Sequence, residues 1–165
     1  MSGDLDAFLG SRTRLRPLDA VAALLRLADG RYVMQLRDSN RDIFYPDHWG
    51  CFGGAVDPGE TPGQAIVREL REELDLRLGE REFTRFTEFT FDFSFCGFDR
   101  KWRVYYEIVL ANSDMTQFVL SEGAAVEAFE AESLLAKHRI VPYDAFAIWM
   151  HHHRGRFSDA SIPGR

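Results

Sequence analysis

Glu69, Glu72 and Glu73 lie in the run Arg68-Glu69-Leu70-Arg71-Glu72-Glu73, the part of this chain whose residue types and spacing best suit chemistry. On a helix these positions are related by i, i+3 and i+4, so their carboxylates emerge on one side. Carboxylates held that close repel one another unless a cation sits between them. A cluster of hard oxygen ligands suits Mg²⁺ or Mn²⁺. The same run also reads as a solvated helix face supported by i,i+4 pairs such as Arg68 with Glu72. The flanking residues tip the balance. Gly53-Gly54 comes just before, and Pro58-Gly59-Glu60 makes a tight turn into the helix. Paired glycines let backbone groups approach a ligand closely. A strand, a glycine-rich loop and a carboxylate-bearing helix make a pocket rather than a plain surface.

The elements that must position these residues are also legible. Residues 18–27 and 32–37 read as two strands, with Ala28-Asp29-Gly30 as a hairpin turn between them. Residues 39–47 form a polar loop, and 48–53 a short extended segment. The spacing predicts a helix over 62–74. Thr61 is its N-cap, Pro62 its first residue, and Gln64 completes a capping box. Ile66, Leu70 and Leu74 recur every four residues and should face a core. Phe89, Phe91, Phe93 and Phe95 alternate with polar residues as a half-buried strand. Trp102, Val104, Tyr106, Ile108 and Leu110 repeat the pattern after a turn near Gly97. A weaker strand is expected over 125–129, a short helix over 131–138, and a C-terminal helix over 142–153 with Phe146, Trp149 and Met150 inward. The interleaving lacks a regular βαβ rhythm, so the expected class is α/β (α+β), a mixed sheet with helices on its faces.

The stretch Gly54-x5-Glu60-x7-Arg68-Glu69-Leu70-x-Glu72-Glu73-x-Asp75-Leu76 resembles the signature of the Nudix hydrolases. Every charged position of that signature matches. The departure is Asp75, where the family has a glycine that ends the helix. Asp is among the few residues that tolerate the left-handed conformation expected there. The resemblance implies a Nudix-like α/β/α sandwich with a mixed central sheet. It implies Glu69, Glu72 and Glu73 as metal ligands, with the backbone carbonyl of Gly53 as a fourth. It also implies that Glu72 or Glu73 orients or deprotonates an attacking water. Arg68 and Glu60 become a supporting ion pair. The implied reaction is metal-dependent hydrolysis of a diphosphate bond in a nucleoside diphosphate linked to another group. Nucleotide sugars, nucleoside triphosphates and ADP-ribose-like compounds all fit. Family members often add an acid from a later loop, and Glu122 is the first candidate here, Glu127 the second. Dimers are common in the family, so a homodimer is an expectation.

Arg37, Tyr45, His48 and Trp49 precede the glycines. An aromatic there can stack on a base and Arg37 can meet a phosphate, although core packing or loop anchoring is the commoner role of each. His151-His152-His153 reads as a solvated, frayed helix end rather than a metal tract. Cys51 has no recognisable acid–base partner, so a nucleophilic role is not expected. The chain of 165 residues has the length of one domain, expected to span 1–165. Its net charge of −6 argues against a nucleic-acid polymer as partner and leaves a small phosphorylated substrate open. No apolar run approaches a membrane span, and residues 1–16 lack a signal core. With only Cys51 and Cys96, a reducing cytoplasm is the expected compartment. Two other functions remain open: a non-catalytic nucleotide-binding regulatory module on the same fold, and isomerisation of an isoprenoid diphosphate. The first would be expected to lack some of the box carboxylates, which are all present here. The second needs a nucleophilic cysteine.

Overall fold

Strand β1 (Ala20–Leu27) is apolar on both faces, which is the pattern of a central strand rather than an edge. The computed structural model describes residues 16–39 and 43–158. Residues 40–42 of the expected 39–47 loop, and nearly all of the N-terminal stretch 1–16, lie outside them. The Ala28-Asp29-Gly30 turn forms as expected, with Gly30 at φ +97°, and leads into β2 (Tyr32–Leu36). β1 and β2 pair only near this turn, at Leu25 with Val33 and Arg26 with Tyr32. Beyond it they diverge, and residues 49–55 fill the wedge. Two-residue β3 (Trp49–Gly50) pairs with the end of β2, and Phe52 and Ala55 bridge to Ala23 and Ala20 of β1. The expected extended segment over 48–53 is therefore mostly isolated bridges.

On its other edge β1 runs parallel to β5 (Lys101–Leu110), which pairs antiparallel with β4 (Thr84–Phe91). β6 (Ala125–Phe129) covers the free edge of β2, so the six-stranded sheet is mixed. Helix α1 (Pro62–Leu74) packs on one face. Its Ala65, Ile66, Leu70 and Leu74 meet Val21, Ala23, Leu25 and Leu27. Helices α2 (Ala131–Lys137) and α3 (Pro142–His152) cover the other face, where Leu134, Ala147 and Ile148 meet Ala22, Leu24 and Tyr105. A short α4 (Arg154–Ser158) follows. Among the described residues, no helix is long and apolar enough to cross a membrane.

Three expectations are corrected. The strand expected to run through Phe95 ends at Phe91. Ser94–Cys96 is a 3-10 turn, and Phe95 is 83% exposed. The alternation there has no partner to hydrogen-bond, so period alone does not extend the strand. The inward face of α3 is Asp144, Ala147, Ile148 and His151, whereas Phe146 and Trp149 face outward. These four are spaced i, i+3, i+4, i+7, and the two polar members find buried partners. Asp144 accepts from Tyr105 and the Cys51 amide, and His151 bonds the Tyr32 hydroxyl. His151 is thus a core residue at 2% exposure, not part of a frayed end.

Candidate active site

Helix α1 starts where the sequence puts it. Thr61 accepts from the Gln64 amide, the Gln64 side chain accepts from the Thr61 amide, and Pro62 occupies the first turn. It ends at Asp75 in the left-handed region, φ 52°, with its amide donating to the Arg71 carbonyl. The helix is thereby fixed in length and register. Its buried stripe turns one set of carboxylates toward the loop at 53–60.

Arg68 ties that loop to the helix. Its guanidinium makes a two-bond fork to Glu60, at 2.9 Å from Nε and 2.9 Å from Nη2. Nη2 also donates to the Ala55 carbonyl at 2.9 Å, and Nη1 to Glu69 at 2.8 Å and Glu72 at 3.3 Å. Planar five-donor geometry permits this bridging, and a lysine has no equivalent. Glu60 is held below the usual carboxylate range by the Arg68 fork.

Gly53 occupies the tightest point of the site. At φ +129°, an added Cβ would strike the Val21 carbonyl oxygen and the Ala22 backbone. Only glycine lets the chain lie this close to β1. The carbonyls of Phe52 and Gly54 accept from Ala23 and Val21. The Gly53 carbonyl accepts no hydrogen bond among the described residues. The Gly53 amide instead donates to Glu73 Oε2 at 2.8 Å, while Gln35 Nε2 donates to Glu73 Oε1 at 3.0 Å. Glu73 is 4% exposed. Burial pushes its carboxyl up to about 7, against the pull of those two donors and with further upward pressure from Glu69 and Glu122. Glu69 is also raised by burial, despite Arg68, and Glu72 and Glu122 add to the rise. Its carboxylate rests against Gly54, where a side chain would collide with it.

These groups open onto a cleft of about 700 Å³ at one end of the sheet. Gly53, Gly54, Ala55, Glu69, Glu73 and Glu122 are among its lining residues, as are Arg37, Tyr45, Phe91, Phe93, Arg103 and Tyr143. Glu72 lies outside this lining and is half exposed beside Arg68. Of the carboxylates expected to act together, the fold brings Glu69, Glu73 and Glu122 to the cleft and leaves Glu72 off its lining. Among the described residues, no three His, Cys, Asp or Glu side chains already converge as a metal cluster. Glu69 is turned to Arg68, and Glu73 to Gly53 and Gln35. Glu127 is an exposed residue of β6 and does not line the cleft.

Arg37 and Tyr45 reach the cleft. Arg37 Nε donates to the Phe44 carbonyl at 2.9 Å, and the Tyr45 ring packs edge-on against Tyr143. Trp49 does not reach it. Its ring packs on Phe129 and His138 behind the sheet, because β3 pairing with β2 turns it to that side. His48 is buried, with Nδ1 at 2.7 Å from the Pro46 carbonyl, and anchors the loop. Cys51 is buried and its thiol is pushed well up by desolvation and by nearby Asp144, the opposite of a nucleophile's environment. Sequence reasoning missed Gln35 and Arg103. Gln35 is the one polar residue of an otherwise apolar strand, a signal that marks a buried contact without saying to what, whereas Arg103 shares its strand with Lys101 and Glu107 and carries no such signal.

A family model described as the NUDIX domain matches residues 16–150. A nucleoside triphosphatase NudI from Enterobacter sp. (strain 638) is 44% identical over 50 residues, which are 30% of this chain and 35% of that protein. The match thus spans only about a third of that relative's length. Among solved structures, the MutT protein from Methanosarcina mazei Go1 superposes with a TM-score of 0.66 at 17% identity, covering 87% of this chain and 99% of that one. The NUDIX domain of Shewanella oneidensis NrtR, complexed with ADP ribose, gives a TM-score of 0.65 at 16% identity, covering 93% and 99%. These structural likenesses are likenesses of fold.

Proposed function

The chain belongs to the NUDIX domain family, and from that premise we propose that it is a metal-dependent hydrolase of a diphosphate bond in a nucleoside diphosphate linked to a further group. The carrying observation is the Arg68-clamped loop and helix, which bring Gly53, Glu69 and Glu73 to one cleft that Glu122 also lines. The donor set is all oxygen, which suits a hard cation, and burial, with nearby carboxylates adding to it, raises the proton affinity of both Glu73 and Glu69. Gly53, Glu69 and Glu73 would hold Mg²⁺ or Mn²⁺, with Glu122 and Glu72 supplying the next carboxylates. Such an ion contributes Lewis acidity and neutralises diphosphate charge.

The chain's own residues do the rest. Arg68 and Glu60 fix the loop, so that Gly53 and Glu69 keep their spacing. Glu73, held in the cleft by the Gly53 amide and Gln35, is placed to orient or deprotonate the attacking water. The water oxygen bonds to phosphorus, the bridging P–O bond breaks, and two phosphorylated fragments or a phosphate ester and phosphate leave. Support for a nucleotide substrate comes from the relative named a nucleoside triphosphatase and the neighbour that binds ADP ribose. Nucleoside triphosphates, nucleotide sugars and ADP-ribose-like compounds are the substrate panel.

The test is turnover of that panel with Mg²⁺, for the parent and Glu73→Gln. The variant keeps size and loses the ionisable group, and its kcat should fall by about 10²–10⁴. Equal turnover by variant and parent removes the assigned chemistry. Tight binding without consumption by the parent would mark a non-catalytic module instead.

A further inference from the structure

Arg103 is a cation in an unusual place. It lies on β5 opposite Phe89 of β4 and Ala20 of β1, and Ala20 in turn bridges to Ala55. Arg103 therefore shares one row of the sheet with the glycine loop, two strand spacings away, or about 10 Å between backbones. Its side chain is only 14% exposed, yet it lines the cleft. Its guanidinium carbon sits 4.9 Å from the Tyr143 ring centroid and 5.6 Å from that of Tyr105. Asp144 Oδ1 stands 3.5 Å from Nε, but Nε is buried without a hydrogen-bond partner. Asp144 is itself already engaged by the Tyr105 hydroxyl at 2.7 Å and the Cys51 amide at 2.9 Å. Among the described residues, no hydrogen bond satisfies the Arg103 guanidinium.

A buried guanidinium with its donors unused is costly unless a ligand completes it. The walls around it choose the kind of ligand. Tyr45, Tyr143, Phe91 and Phe93 offer flat apolar surface, which suits a planar ring, whereas the carboxylates that suit a metal-bound diphosphate, Glu69 and Glu73, sit at the glycine loop two strand spacings from Arg103. A nucleotide placed with its phosphates at Glu69 and Glu73 extends its base toward Arg103. The aromatic pair and Asp144 hold the guanidinium plane, so its fork reads an edge with two adjacent acceptors.

We propose that Arg103 is the base-reading residue of the proposed hydrolase, selecting a nucleobase with two adjacent acceptors on one edge. This rests on the nucleotide reading above. Guanine offers O6 with N7, and cytosine offers O2 with N3. Adenine sets an amino donor beside N1 and N7, and uracil sets an N–H between its two carbonyls. Guanine or cytosine nucleotides are therefore the preferred class, and adenine and uracil nucleotides are rejected.

The experiment compares kcat/KM for GTP, CTP, ATP and UTP with Mg²⁺, in the parent and in Arg103→Lys, which keeps the charge and loses the fork. The parent should favour GTP or CTP by about tenfold or more, the discrimination one bidentate pair supplies. In Arg103→Lys that preference should shrink to about threefold or less, mainly through KM. Thermal melting checks that the variant folds. A second arm needs no variant: binding of GMP, CMP, AMP and UMP to the metal-free parent should show the same order. A parent that binds all four alike, or prefers adenine, overturns the proposal. So does a variant that loses the same factor on every base, because Arg103 would then serve the phosphates or the packing of Asp144. Failure of all four triphosphates to turn over removes only the triphosphates from the substrate panel, and the monophosphate arm still decides the base reading.

Discussion

Glu73 carries two duties that pull against each other. Its carboxylate is buried, which favours the protonated form, and it accepts from Gly53 and Gln35, which favours the ionised form. The balance lies near pH 7, so a divalent ion that uses Glu73 must displace a proton at neutral pH. Linkage gives the sign: below about 7 the metal competes with bound hydrogen ion, so affinity rises with pH by up to about tenfold per unit and levels off above it. Calorimetric titration with Mg²⁺ in two buffers of different ionisation enthalpy should detect proton release near pH 6.5, and Glu73→Gln should abolish it. A pH-independent affinity in the parent removes Glu73 from the ligand set. Arg68 acts one step further back, through the groups it holds. Arg68→Lys keeps the charge but cannot span Glu60, Glu69 and the Ala55 carbonyl together. Metal affinity or kcat should fall by about 10–100-fold, as for other groups that orient ligands. Undiminished activity in Arg68→Lys would show that the clamp is dispensable.

At the scale of elements, α1 was fully legible because its signals are local. Thr61, Pro62 and Gln64 act within one turn of backbone, and Ile66, Leu70 and Leu74 face whichever core is present. Asp75 was legible for the same reason: the position needs a positive φ whatever surrounds it. Asp75→Gly should therefore relieve the strain of a left-handed non-glycine residue and raise stability by up to about 1 kcal/mol in denaturant titrations, with turnover unchanged. Thr61→Ala should act in the opposite direction and cost about 1 kcal/mol through the lost cap. A destabilised Asp75→Gly would mean that the Asp side chain, bonded to Arg77, contributes more than the backbone loses. The faces of α3 were not legible. Hydropathy turns Phe146 and Trp149 inward, but the buried partners of Asp144 and His151 come from β2, β3's neighbour Cys51, and β5, which no local window contains.

At the scale of the molecule, His151 links α3 to the sheet. Its Nδ1 meets the Tyr32 hydroxyl, and its Nε2 lies 3.1 Å from Glu107, with Arg154 and Arg26 nearby and the Phe86 ring edge-on. Burial lowers its proton affinity below that of a free histidine, in spite of Glu107. The unfolded chain then binds the extra proton, so this contribution to stability is complete above about pH 6.5 and is lost as pH falls below it. Glu73 titrates with the opposite sign, since its raised carboxyl binds a proton in the folded state first. The informative quantity is therefore a difference. The stability of the parent relative to His151→Gln should increase as pH rises from 5.5 to about 7.5, and a flat difference would show that His151 is not held neutral. The sequence by itself determined α1 with its caps, the hairpin turn, the charged box and its resemblance to the Nudix signature, because each depends on residues within a turn or two of one another. Only the tertiary structure decided which carboxylates share the cleft. Divergence of β1 from β2 opens the wedge that seats Gly53 against Val21 and Ala22, and the Ser121 amide bonded to the Glu73 carbonyl holds the following loop so that Glu122 lines the same cleft as Glu69 and Glu73. It also decided that Trp49 is packing and that Arg103 faces the cleft, since the side a strand residue takes is set by the strands and helices it packs against.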